Sequence, residues 1–316
     1  MTYSIVARAA DTGELGVAVQ SHYFHVGPVV PWALAGVGAV ATQSHVSVSF
    51  GPLGLEYMRS GYTAEQALKA VLAADDTPDV RQVAMVDAAG NVATHTGEKC
   101  IPAAGHKAGD GFSCQANLME KDTVWGAMCE AYASATAPLA ERMLAALDAA
   151  EAEGGDIRGR QSAAMVVVRG NPSGRAWEDR VIDLRVEDSK EPLVELRRLL
   201  RIKRAYTSDD AAERLELAGD VKSAAKLRMA AADLAPDLVE LSFWAGLDLA
   251  KLDDIDGGCR LIARAVAEEP RWIETLNRLA AVDWLSRDLA AKIQARLAAT
   301  SGRRGGSAEN RRRAIR

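Results

Sequence analysis

Over the first 190 residues, strand signals come as hairpins and helical signals come in pairs between them. Few ways of burying apolar faces fit that order. Tyr3 to Arg8 is a short β-rich run, Asp11-Thr12-Gly13-Glu14 supplies a turn, and Leu15 to Gln20 returns as a second strand. Gly36 to Gln43 is apolar and dotted with glycine, as in a strand packed closely on both faces. Two helices follow. The first covers Pro52 to Ser60, and the second is opened by Thr63 with Gln66 in capping-box spacing. A second hairpin joins Gln82–Asp87 to Val92–Thr96 about Ala88-Ala89-Gly90-Asn91, and Gly111 to Asn117 supplies another strand. Helices return over Thr123–Ala133 and Pro138–Glu153, stopped by Gly154-Gly155, before strands at Ser162–Arg169 and Arg180–Val186. The pattern predicts an α+β domain over residues 1–190: an αββα sandwich of two sheets with helices on both outer faces.

From Leu193 the strand signals vanish. A shift of 34 residues aligns Val221 with Ile255, Leu227 with Leu261, Ala231 with Ala265 and Pro236 with Pro270. That period is the one of tetratricopeptide (TPR) helical hairpins, although the large aromatics of that motif are mostly missing. Residues 191–300 are therefore expected to form an all-α, TPR-like domain of helical hairpins. Residues 301–316 are Gly-, Ser- and Arg-rich and are expected to be a disordered basic tail.

Charge narrows the range of partners. Six arginines against Glu309 give the stretch Arg303–Arg316 a local charge of +5, so the net −5 of the chain leaves −10 on the rest. An acidic body is a poor match for a phosphate backbone, and 5 % aromatic residues provide little for stacking bases or sugars. Cys100, Cys114, Cys129 and Cys259 lack metal-type spacing, so reduced, buried thiols are expected. With no basic-then-apolar leader and no run of membrane-span length, the expectation is a cytoplasmic protein with no membrane or nucleic-acid partner.

Thr2 carries the most chemistry. Removal of Met1 before a small residue would leave a β-hydroxyl and a free α-amine on one residue, and that amine, titrating near ~7.7–8.0, can act as base for its own hydroxyl. Many chains begin Met-Thr without consequence. Here, however, β-structure begins at once, and a terminus tied directly into a sheet is unusual.

The segments TYSIVARAADTGELGVAVQS, VGAVATQS, GPLGLEYMRSGYTAEQALKAVL, RQVAMVDAAGNVATHTG, FSCQANLM and GGDIRGRQSAAMVVV resemble a bacterial family of unknown function, DUF1028, within the N-terminal nucleophile (Ntn) hydrolase superfamily. The resemblance covers about Thr2 to Val186, and Leu193 to Leu297 is similar to the helical, peptidoglycan-binding-like part that such proteins often carry. It implies an αββα sandwich and amide hydrolysis by the N-terminal residue. Unlike proteasome-like members, the stretch Thr2–Gly51 contains no lysine, and its only acids are Asp11 and Glu14 in the hairpin turn. The resemblance also implies that Asp156 in GGDIRGRQS holds the α-ammonium, assisted by Ser162 or Gln161; its composition equally allows a plain helix stop and turn.

Other candidates come from the residues themselves. Arg158 or Arg160 could clamp a substrate carboxylate, or each could be a surface charge. Asn117 could stabilise an oxyanion or cap the following helix. Gln43 and Ser44 could line the same cleft or simply end a strand. His22, His25 and His45 lack acidic or thiol partners nearby in sequence, so no metal and no cofactor are expected, and His22 is taken as substrate-lining. The expected activity is an amidohydrolase acting on a C–N bond of a small molecule, in a homo-oligomer. The alternative is a catalytically silent scaffold whose helical domain binds a protein or glycan partner.

Overall fold

The computed structural model describes residues 2–299, and the tail expected over 301–316 lies outside them. The chain divides into two units, residues 1–199 and 200–316, within a single helix, Pro192–Leu217. The first unit is mixed α/β with antiparallel sheets, and the C-terminal region is helical.

In chain order the first unit has β1 (Thr2–Arg8), β2 (Leu15–Ser21), β3 (Pro31–Leu34) and β4 (Gly38–Ser44), then α1 (Phe50–Arg59) and α2 (Ala64–Ala73). Next come β5 (Arg81–Asp87), β6 (Val92–Thr96), β7 (Gly105–Gly109) and β8 (Phe112–Ala116), then α3 (Val124–Ser134) and α4 (Leu139–Ala152). It ends with β9 (Ser162–Val168), the short α5 (Ala176–Asp179) and β10 (Arg180–Val186). One sheet runs β10-β9-β2-β1-β8-β7 and the other β3-β4-β5-β6. Helices α1 and α2 pack on the four-stranded sheet and α3 and α4 on the six-stranded one, while β1 and β2 meet β3, β4 and β5 across the space between.

Period-two alternation sets which side chains enter that space. Val6, Val17, Val19 and Val166 from one sheet meet Ala39, Ala41, Ala84 and Val86 from the other. The opposite faces meet helices: Val40, Val83 and Met85 pack under Leu55, Met58, Ala67 and Leu68. Each fully buried valine or leucine contributes roughly 1.5–3 kcal/mol. At one end of the sheets the apolar rows stop. Thr2, Ser21 and Ser162 stand opposite one another across β1, β2 and β9, all at most 5 % exposed.

The capping box forms as read: Thr63 Oγ1 accepts from Gln66 N at 3.3 Å and Thr63 N donates to Gln66 Oε1 at 2.9 Å. Strand β4 begins two residues later than the sequence suggests. Gly36, at φ +68°, and Val37, donating to Leu34 O, form the turn from a strand the sequence does not announce, β3.

The helical region comprises α6 (Pro192–Leu217), α7 (Val221–Leu234), α8 (Val239–Lys251), α9 (Ile255–Glu268), α10 (Trp272–Ala281) and a last helix over 287–299. Its repeat is visible in the caps. Asp220 accepts from Ser223 N at 3.0 Å and Asp254 from Gly257 N at 2.7 Å, so α7 and α9, each of 14 residues, start from identical caps. Phe243, Leu247, Ile262, Leu276 and Ile293 form the main core here. Among the described residues no helix is long and apolar enough to cross a membrane, and all four cysteines are free and buried.

Candidate active site

Strand β1 presents Thr2 at the polar end of the space between the sheets. Thr2 is 5 % exposed, and its Oγ1 lies 2.9 Å from Ser21 Oγ. The hairpin dictates that contact, because the register that sets Arg8 opposite Leu15 sets Thr2 opposite Ser21.

The Thr2 carbonyl is held from behind. It accepts from Asn117 N at 3.1 Å, Gln43 Nε2 at 3.3 Å and Asn117 Nδ2 at 3.4 Å. Gln82, fully buried, ties these amides together: its Oε1 accepts from Gln43 Nε2 at 2.7 Å and from Asn117 Nδ2 at 2.8 Å. Its own amide donates to Thr96 Oγ1, Gly105 O and Ala116 O. Gln115 and Ser4 extend the network, with Gln115 Nε2 donating to Ser4 Oγ and Ser4 Oγ to Gln43 Oε1, both at 2.6 Å. A buried polar group without a partner costs roughly 1–3 kcal/mol, so a satisfied network of this kind fixes one arrangement. One atom is left over. Asn117 Oδ1 is buried and has no hydrogen-bond partner among the described residues.

Asn117 caps no helix. Helix α3 starts at Val124 after Thr123, and both donors of Asn117 are turned onto Thr2 and Gln82.

Gly154 and Gly155, at φ +113° and +62°, turn the chain out of α4 and into Asp156, which bridges Met119. A residue with a Cβ rarely adopts those angles. The Asp156 carboxylate is buried and accepts from His22 N at 3.3 Å, Arg158 N at 3.0 Å, Arg158 Nε at 3.0 Å and Arg158 Nη2 at 2.8 Å. Arg158 is thus turned onto Asp156 rather than held out as a clamp, and Arg160 pairs with Glu151 and Glu191. Ser162 Oγ donates to Tyr23 O at 2.5 Å and accepts from Val26 N at 3.1 Å, so it pins the segment after β2. Gln161 points elsewhere, its Nε2 donating to Asp188 Oδ1 at 3.1 Å. His22 Nδ1 is buried without a partner among the described residues.

A small pocket of about 50 Å³ opens beside Thr2, with Ser21, Gln43 and Ser44 as its polar wall. Val26, Val29, Val30 and Val46 form the apolar wall, together with the exposed Tyr23. Ser44 is a non-glycine residue at φ +71°, and its buried Oγ has no partner among the described residues. Backbone strain of this kind collects at functional sites. The loop after Ser44 is strapped by Arg81, whose Nη1 donates to His45 O at 2.6 Å while its Nε donates to Asp75 Oδ2 at 2.6 Å. Those bonds hold the Asp75 carboxyl down at about 2.

The structure therefore brings Thr2, Gln43, Ser44 and Asn117 together, and Asp156 beside the His22 backbone, while Gln161 lies outside the cluster. Sequence reasoning missed Ser21, Ser4, Gln82 and Gln115. Of these, only Ser21 was accessible, by counting back from the hairpin turn.

A cavity of about 410 Å³ lies in the helical unit, walled by Trp244, Trp284, Leu279 and the Arg228 ion-pair cluster. It holds no serine, threonine or cysteine nucleophile, so the smaller pocket at Thr2 is the better candidate for chemistry.

Comparison with known proteins agrees on family and leaves activity open. A family model described as a family of unknown function, DUF1028, matches residues 2–196. No curated protein matches the chain. The crystal structure of protein SPO2555 from Silicibacter pomeroyi, of family model DUF1028, is 30 % identical over 63 % of this chain and 88 % of that one, with a TM-score of 0.57. Anbu, an ancestral β-subunit from Yersinia bercovieri, aligns over 62 % of this chain and 92 % of its own at 11 % identity and a TM-score of 0.31, too slight a likeness to define even a fold. The family match spans well over half of the sequence, and the chain belongs to the DUF1028 family of unknown function.

Proposed function

We propose that this protein is an Ntn-type amidohydrolase built on an αββα sandwich, cleaving an amide or related C–N bond of a small molecule with Thr2 as nucleophile. One observation carries the reading. The first residue of a central strand lines a pocket with its hydroxyl beside Ser21, while its carbonyl is clamped by Asn117 and Gln43. Once Met1 is removed, the α-amine of Thr2 takes the hydroxyl proton as Oγ1 attacks the carbonyl carbon. The C–N bond then breaks, the proton passes to the leaving amine, and water hydrolyses the acyl ester. No lysine lies in Thr2–Gly51; buried amides hold the Thr2 carbonyl, and its hydroxyl meets Ser21. Asp156, through His22 N, braces the strand end next to Ser21.

The test starts with intact mass, which must show Met1 removed. Thr2→Ala should abolish turnover of an amide found by screening, and Thr2→Ser should keep part of it. One extra residue between Met1 and Thr2 should be as damaging as alanine, because it moves the amine away from the hydroxyl. The rate of the native protein should rise with pH through the amine's titration, near ~7.7–8.0, since the base works unprotonated. Full activity of the extended variant overturns the mechanism.

The second reading is a catalytically silent scaffold with a helical binding module. The 410 Å³ cavity of the helical unit favours it. Retention of Met1 in the purified protein would decide for it.

A further inference from the structure

The pocket beside Thr2 constrains what can be transferred to the threonine. At about 50 Å³ the pocket has room for only a small group. Its apolar wall is Val26, Val29, Val30 and Val46, and no charged side chain lines it among the described residues. Asp156 and Arg158, the charges of the neighbouring loop, are spent on one another. A charged acyl group entering here would lose its hydration without gaining a counter-ion, and such desolvation is costly. A short alkyl chain would instead bury its methylenes against the valines. Val26 and Val30 also belong to the core between the sheets, so the floor of the pocket cannot recede. Val46, in the loop after β4, and the exposed Tyr23 lie outside that core, so the wall yields at those two residues.

From this we infer that the pocket is an acyl site for short, uncharged aliphatic acyl groups, so that the substrates are amides of short-chain carboxylic acids. The inference rests on the nucleophile assigned to Thr2 above.

The experiment uses the full chain, its free Thr2 verified by intact mass, and p-nitrophenyl esters of acetate, butyrate, octanoate, hydrocinnamate and monosuccinate. In each, Thr2 Oγ1 forms an ester bond to the acyl carbon, the bond to p-nitrophenolate breaks, and the threonine proton passes to the α-amine. Peptide mass locates the adduct, and nitrophenolate release gives the rate. Acylation of Thr2 should quicken by about fourfold per methylene from acetyl to butyryl. It should then fall at least about tenfold for octanoyl, hydrocinnamoyl and succinyl. Val46→Ala, which leaves the core untouched, should restore part of the octanoyl rate. Equal rates across the series, or a preference for succinyl, overturn the acyl site while leaving Thr2 as nucleophile. No adduct at a free Thr2 from any ester overturns both.

Discussion

Gln82→Leu tests whether the amide network positions Thr2 or merely fills space. Gln82 is fully buried, and its Oε1 is the shortest acceptor of both Gln43 Nε2 and Asn117 Nδ2. Leucine removes that acceptor and leaves each amide only its longer bonds, at 3.3–3.4 Å, to the Thr2 and Gln115 carbonyls. Two buried donors losing their best partner cost roughly 1–3 kcal/mol each, and the surviving bonds put the total near the lower half, about 2–4 kcal/mol. In a unit of 199 residues, where ~1 kcal/mol moves Tm by roughly 2–4 °C, calorimetry should show a fall of about 4–16 °C. The coupling is as informative as the single loss. Once Gln82 is leucine, adding Gln43→Leu should cost at least ~1 kcal/mol less than it does in the native protein, because the shared bond is already gone. Any activity that depends on Thr2 should fall further than stability does. A Tm within about 1 °C of native, or strictly additive losses, would refute the network as the clamp on Thr2.

Two further outcomes follow from the ion pairs. The Asp75 carboxyl is held at about 2 by its hydrogen bonds to Arg81, below the ordinary value near 3.9, so its contribution is complete above the ordinary value and is lost as pH falls towards the folded one. Asp75→Asn should therefore lower Tm at neutral pH, with the gap to native closing between pH ~4 and ~2. In the helical unit, Arg228 is 6 % exposed and binds Asp209, Glu216 and Asp248. Arg228→Met should cost about 3–5 kcal/mol by stranding Asp209 and Asp248, while Glu216 keeps its pair with Lys251. Burial already raises Asp209 and Asp248, and losing the cation raises them further, so the penalty should be greatest at neutral pH and shrink on acidification; a pH-independent Tm difference would count against it.

Local signals in the chain were readable, whereas non-local ones were not, and the site contains both. The turn at Asp11–Glu14 sets the β1–β2 register, so Ser21 opposite Thr2 follows from counting. The 34-residue repeat was likewise readable, because Asp220 and Asp254 do the same capping job at that spacing. Strands β3 and β7 were not. Pro31–Leu34 is too short to carry a period, and Gly105–Gly109 is a largely exposed edge with little β-propensity, formed because β8 offers it a ladder. Gln43 and Gln82 face each other in adjacent strands with the α1–α2 pair between them in sequence, and no spacing rule joins them. Yet the need for such a partner was legible. Thr2, Ser4, Gln20, Gln43, Gln82 and Gln115 all sit in largely buried strands, and a polar side chain buried there must find a hydrogen bond. Several strands turning polar near one end imply that those ends converge on a shared polar cluster. Composition states that the cluster must exist; only the pairing of distant strands determines that Gln43 and Asn117 close on the carbonyl of Thr2.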